Sequence, residues 1–240
     1  MLHDVVAERR ITPSANLPYE LWQCDDLRGA ALTTTRLIAL EMQIAQTLAT
    51  FRIKKTLMPL PPVDKLLRGI WFDRSAYDET SFSVTAFIMP LCILAKHLEF
   101  TFGKRIRHKG GGDRWSLEMP DLAVDLIAAL RTQALPYLSE GETLEGFIEI
   151  ARSSPRAGRT LEGLGFALAR TGENRQAVEV FSQLVAMLDL NIAWQRDLAD
   201  QVRGFSTKLM EHPEEALKQL IKWENESAHN LGLDEFRKAV

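Results

Sequence analysis

Between Ser81 and Met89 the side chains alternate, with Phe82, Val84, Ala86 and Ile88 on one side and Ser81, Ser83, Thr85, Phe87 and Met89 on the other. Successive side chains leave a strand on opposite faces, so this period marks a β-strand. Just upstream, residues 66–75 read LLRGIWFDRS and place Ile70, Trp71 and Phe72 in succession, which gives apolar bulk to both faces, as inside a sheet. The polar Tyr77-Asp78-Glu79-Thr80 that joins the two segments is expected to be a hairpin connection. A sheet built on this pair needs a cover on each face, and Ser81, Ser83 and Thr85 leave one face partly polar.

The flanking segments supply candidates for that cover. Thr33, Thr34 and Thr35 offer N-cap oxygens to a helix in which Leu37, Leu40, Ile44 and Leu48 recur at helical spacing, with Ile38 and Met42 widening the stripe. A short segment from Phe51 to Met58 reads as a first strand interrupted by Pro59-Leu60-Pro61-Pro62. Residues 91–102 are mainly apolar and fit either a continued strand or a short helix. Residues 104–117 (KRIRHKGGGDRWSL) form two arms around Gly110-Gly111-Gly112, which predicts a hairpin, because glycine supplies positive φ. Pro120 then opens a helix with Leu122, Leu126, Ile127 and Leu130 on its apolar face, running to about Leu135. The expectation for residues 1–140 is an α+β domain in which helices flank an antiparallel sheet.

From Ser139 onward no strand pattern appears, and residues 141–240 are expected to be helical. Ser139 and Glu142 have capping-box spacing for a helix through Phe147 and Ile150. Two helices between Arg159 and Met187 are separated by Thr171-Gly172-Glu173-Asn174, and Pro213 opens another carrying Leu217, Leu220, Ile221 and Trp223. Trp194 and Trp223 are expected to seal this layer against its neighbour.

Charge argues against one class of function. Residues 1–140 carry 17 basic and 16 acidic side chains and the remainder 12 and 16, far from the basic balance of a nucleic-acid binder. Cys24 and Cys92 lie far apart in ordinary segments, which favours two reduced thiols, and no apolar run is long enough to span a bilayer. A cytoplasmic location follows as an expectation. Residues 1–18, with Pro13 and Pro18, read as an arm that is ordered only if tethered.

Catalytic signatures are weak. Gly110-Gly111-Gly112 lacks the Lys and hydroxyl of a phosphate-binding loop, and no Gly-x-Ser-x-Gly elbow appears. His3, His97, His108, His212 and His229 show no ligand spacing, so no metal and no cofactor is expected. Asp25-Asp26 and Asp78-Glu79 are adjacent in sequence and do not make a general acid/base pair. The sharpest local feature is the basic cluster Lys104, Arg105, Arg107 and Lys109 with Arg114 and Trp115 across the glycines. On a hairpin, Arg105, Arg107 and Lys109 would share one face and Trp115 would stack on a base or shield a guanidinium, giving a partner- or anion-binding site. A solvated hairpin would carry the same residues.

Two resemblances add to this. Leu161, Leu164, Gly165 and Leu168, followed by Gly172, Ala177 and Phe181, resemble a single tetratricopeptide unit, with Leu184 and Asp189 departing from its pattern. One such unit must pack on neighbouring structure to bury its apolar face. Residues 37–138 resemble the bacterial domain-of-unknown-function family numbered 4304. The residues concerned are Leu48-Ala49-Thr50-Phe51, Arg52-Ile53-Lys54-Lys55, Ile70-Trp71-Phe72, Ser75, Phe82-Ser83-Val84, Arg105 and Trp115. Thr50 stands where that family usually has glycine, and Met58 where it usually has an aromatic residue. The resemblance implies a small α+β domain without established catalysis, some of whose members lie near toxin genes. The expected function is therefore protein binding without catalysis, with toxin immunity as one form of it. The alternative is nucleic-acid or phosphate binding by the basic cluster.

Overall fold

The structure, a computed structural model, describes residues 25–48 and 56–237. Residues 1–18, Cys24 and the basic run 52–55 lie outside the described residues. The fold is α+β. Its centre is the antiparallel pair β2 (Leu66–Arg74) and β3 (Ser81–Pro90), in register from Leu66 opposite Pro90 to Arg74 opposite Phe82. The short β1 (Leu57–Pro59) pairs with the outer edge of β2.

The glycine segment forms a different structure from the expected hairpin. β4 (Gly103–Arg105) and β5 (Arg114–Ser116) do not pair with each other. Both lie antiparallel along the same edge of β3, β4 beside residues 85–87 and β5 beside residues 81–83. They make one edge strand interrupted by a loop. The reason is apolar: Ile106 and Trp115 flank the loop and are both fully buried, and the Ile106 N–H donates to Val84 O at 2.9 Å. Within the loop His108 N–H donates to Gly112 O, and Gly111 takes a φ of 86° that only glycine adopts without strain.

The sheet has two unequal faces. Ile70, Phe72, Phe82, Val84, Ala86 and Ile88 enter the main core. Across them lies α1 (Asp25–Leu48), whose buried stripe is Leu37, Leu40, Ile44 and Leu48. This helix runs through Thr33–Thr35 instead of starting there, and Ile38 and Met42 are exposed and not part of the stripe. On the other face Leu57, Leu67, Phe87 and Met89 pack with Leu91, Ala95, Ala228, Leu233 and Phe236. Residues 91–102 form neither strand nor helix but a loop.

After β5, Asp121 takes a left-handed conformation before α2 (Leu122–Ala129), so Pro120 lies outside the helix. The helix continues past residue 135 through a π turn (Leu130–Ala134) into α3 (Leu135–Glu140). Pro136 has no N–H to return to Thr132, and the extra residue of the π turn accommodates it. The cap of α4 (Leu144–Ser153) is Thr143, whose hydroxyl accepts from Gly146 N–H at 3.2 Å, while Ser139 belongs to α3.

The helical layer continues with α5 (Gly158–Thr171), α6 (Asn174–Met187), α7 (Ala193–Glu211) and α8 (Pro213–Asn230). Phe166 of α5 is the hub of an aromatic cluster with Phe181, Phe205 and Trp223, at centroid distances of 4.9, 5.1 and 5.8 Å. Trp223 joins this cluster inside the helical layer, and Trp194 is 57% exposed and seals nothing. Gly165 makes the α5–α6 contact close, since a Cβ there would lie 2.4 Å from the Phe181 ring. The main apolar core runs without interruption from α1 to α8, across the boundary between residues 140 and 141. No helix among the described residues is long and apolar enough to cross a membrane.

Candidate partner-binding face

The second face of the sheet is covered over only part of its area. Alternation sends Trp71 and Asp73 of β2, Ser83 and Thr85 of β3, Arg105 of β4 and Arg114 of β5 to that face. The register sets Trp71 opposite Thr85, Asp73 opposite Ser83, Thr85 opposite Arg105 and Ser83 opposite Arg114. Phe100 from the 91–102 loop leans on Trp71 at 5.8 Å and meets Phe87 edge-on at 5.0 Å. Trp71, Asp73, Thr85, Phe100, Gly103 and Arg105 line a cleft of about 290 Å³. Its rim carries an ion pair, Arg105 to Asp73 at 3.8 Å, and Arg105 also donates to the Ser83 hydroxyl. Both charges are about half exposed, so the pair adds little to stability, ~0–1 kcal/mol, and stays accessible.

The expected basic cluster is divided. Lys104, next to Arg105, points the opposite way and lies 5.9 Å from the centre of the Tyr137 ring. Burial pushes the Tyr137 hydroxyl up to about 12, and it donates to Phe102 O at 2.7 Å. Arg107 is held by its backbone, which donates to Gln133 Oε1 at 3.0 Å and accepts from Gln133 Nε2 at 2.7 Å. Lys109 pairs with Asp125 at 2.9 Å, and that hydrogen bond and charge raise its pKa. Alternation sends Arg105 and Arg114 to the open face. Trp115 corrects the stacking expectation: it is fully buried, with its Nε1–H donating to Ile106 O at 3.0 Å and the His108 ring edge-on at 5.7 Å. Trp115→Phe should therefore cost stability, about 1–3 kcal/mol in urea unfolding, through the lost hydrogen bond and volume. An unchanged midpoint would contradict this anchoring role.

Other clefts hold internally satisfied groups. A groove of about 360 Å³ between α4, α5 and α6 contains Arg152, bonded to Glu149 and Gln176, and Arg156, bonded to Gln183. Helix α5 is buried at every position from 160 to 169, so it offers no exposed side to a ligand. A cleft of about 420 Å³ at the start of α4 borders Arg68, which donates to Leu138 O at 3.1 Å and pairs with Glu142 at 3.6 Å. Cys92 is fully buried, and burial, with Glu224 adding, pushes its thiol well above the ordinary range, so it is no nucleophile. Among the described residues no three His, Cys, Asp or Glu side chains gather where they could hold a metal ion.

Sequence reasoning singles out Arg105 and Arg114 and marks the partly polar face of Ser83 and Thr85, but passes over Asp73 and Phe100. The period of two places Asp73 and Thr85 with Trp71, whereas Phe100 sits in a loop and carries no periodic signal. Comparison with protein-family models, with curated proteins and with solved structures returns no match.

Proposed function

We propose that the protein is a non-catalytic protein-binding module whose partner docks on the open part of the second sheet face. The observation that carries this reading is the cleft itself, walled by Trp71 and Phe100 and rimmed by the accessible Arg105–Asp73 pair. Trp and Arg are the residue types that most often dominate binding energy, and a sheet holds them in place before a partner arrives. At about 290 Å³ the cleft falls below the roughly 300–1,000 Å³ usual for small molecules, and it suits one apolar side chain of a protein. The partner is expected to set such a side chain into the cleft beside the two rings and to place polar groups against Arg105 and Asp73. The α5–α6 pair, tetratricopeptide-like in sequence, is read as scaffold, because α5 is buried all round. The resemblance of residues 37–138 to the domain-of-unknown-function family belongs to the same proposal and makes a toxin the partner class to examine first.

The test is affinity purification from the native host, followed by binding measurements with the recovered partner. Trp71→Ala and Arg105→Glu are each expected to weaken binding by about 30-fold or more, the scale of an interface hot spot. Ile221→Ser, on the exposed side of α8, should leave binding unchanged. Unaltered affinity in both cleft variants would overturn the reading, as would nucleic-acid binding that falls steeply with salt.

A further inference from the structure

The turn between β2 and β3 presents a tyrosine that covers nothing: Tyr77 is 97% exposed. Its backbone is nevertheless fixed. The Ser75 hydroxyl accepts from the N–H groups of Tyr77 and Asp78, both at 3.2 Å. Asp78 Oδ1 accepts from Thr80 N–H at 3.0 Å and from the Thr80 hydroxyl at 2.8 Å, and its other oxygen accepts from the Ser81 hydroxyl. Ser75 N–H closes the turn onto Ser81 O at 3.0 Å. These bonds, that of Ser81 first, hold the Asp78 carboxyl below its ordinary range, so the turn is anionic beside the ring. Binding through Tyr77 thus orders only two side-chain torsions, which is how a rigid aromatic residue yields affinity at low entropic cost.

The turn ends the same strands that carry Trp71 and Asp73. Tyr77 lies six positions after Trp71, at most roughly 20 Å of extended chain, which is within the footprint of one ordinary protein interface. We propose that Tyr77 is a second anchor of the docking surface, received by an apolar pocket on the partner whose basic rim reads Asp78 and Glu79. This rests on the protein-binding reading above, and it adds the chemistry of the partner's surface. At the turn Asp78 and Glu79 have Arg114 beside them, opposite Ser83, and Arg105 lies two residues further along β3, opposite Thr85, so the partner must complement an acidic pair followed by basic groups.

The test places the photo-cross-linker p-benzoylphenylalanine at position 77, at position 71 or at the exposed position 124 of α2, a helix on the main-core side of the sheet, in the full chain, irradiated in the native host. Positions 77 and 71 are expected to capture the same polypeptide, and position 124 is not. With that polypeptide purified, Tyr77→Ala should weaken binding at least about 10-fold, Tyr77→Phe should stay within about 3-fold, and Glu79→Lys should weaken it and flatten its salt dependence. The Tyr77 side chain is exposed, so unchanged melting of these variants separates binding from folding. Capture at 71 but not at 77, or full affinity in Tyr77→Ala, overturns this inference alone and leaves the cleft reading in place. Capture at neither position overturns both.

Discussion

Glu224→Ala is expected to cost about 3–5 kcal/mol of folding stability, the range for removing one partner of a buried ion pair. Glu224 of α8 meets Arg170 in the last turn of α5, with Nε to Oε1 at 2.7 Å and Nη2 to Oε2 at 3.3 Å. The two side chains are only 5% and 15% exposed. Without the carboxylate, the guanidinium keeps its charge, since arginine does not deprotonate at any ordinary pH. The consequence extends beyond the pair. Three residues along α8, the Ser227 hydroxyl accepts from Ala95 N–H at 3.0 Å and donates to Ile93 O at 2.9 Å, and Asn230 donates to Ala95 O at 3.0 Å. Helix α8 therefore holds the loop that covers part of the second sheet face and carries Phe100. Urea unfolding should show the loss, and hydrogen exchange should show residues 91–102 opening with it. The double variant Arg170→Met with Glu224→Leu should recover most of the stability, because a hydrophobic replacement of a buried pair is often neutral. Equal destabilisation of the single and double variants would assign the loss to packing.

The contrast between what the sequence discloses and what it hides has a physical origin. The β2–β3 ladder is legible because its period extends over whole strands, and the α5–α6 junction is legible because Gly172 takes a φ of 87° at the end of α5. The interrupted edge strand is hidden, because three-residue strands have no period and their partner is decided by which apolar side chains, here Ile106 and Trp115, find the core. Adjacent basic residues look like one site in a sequence, yet once in a strand Lys104 and Arg105 must part to opposite faces. The open face is half legible: its strand residues follow from alternation, while Phe100 arrives by a loop whose path depends on α8.

Glu41→Gln should change the pH dependence of stability more than any other single replacement of a carboxylate in the described chain. Glu41 lies on α1 four residues after Leu37, within the buried stripe, and is 2% exposed. Its Oε1 has no hydrogen-bond partner among the described residues. Burial pushes its carboxyl up from 4.5 to about 7, and the charge of Arg74, held by a 2.9 Å hydrogen bond to the Thr34 hydroxyl, offsets only part of that rise. Below the ordinary value the group is protonated in both folded and unfolded chains, so it adds no pH dependence. Between 4.5 and about 7 the unfolded chain ionises while the folded chain keeps its proton, and stability falls by about 1.4 kcal/mol per pH unit. Above about 7 both forms are ionised, and the accumulated loss levels off at roughly 3 kcal/mol. Glutamine has nearly the same shape and no ionisation, so it removes this slope. Relative to the wild type, Glu41→Gln should gain roughly 3 kcal/mol between pH 4 and pH 8, read from urea midpoints at both ends. A difference that stays flat across that range would mean that the carboxylate is already ionised in the folded chain, with a counter-charge closer than Arg74.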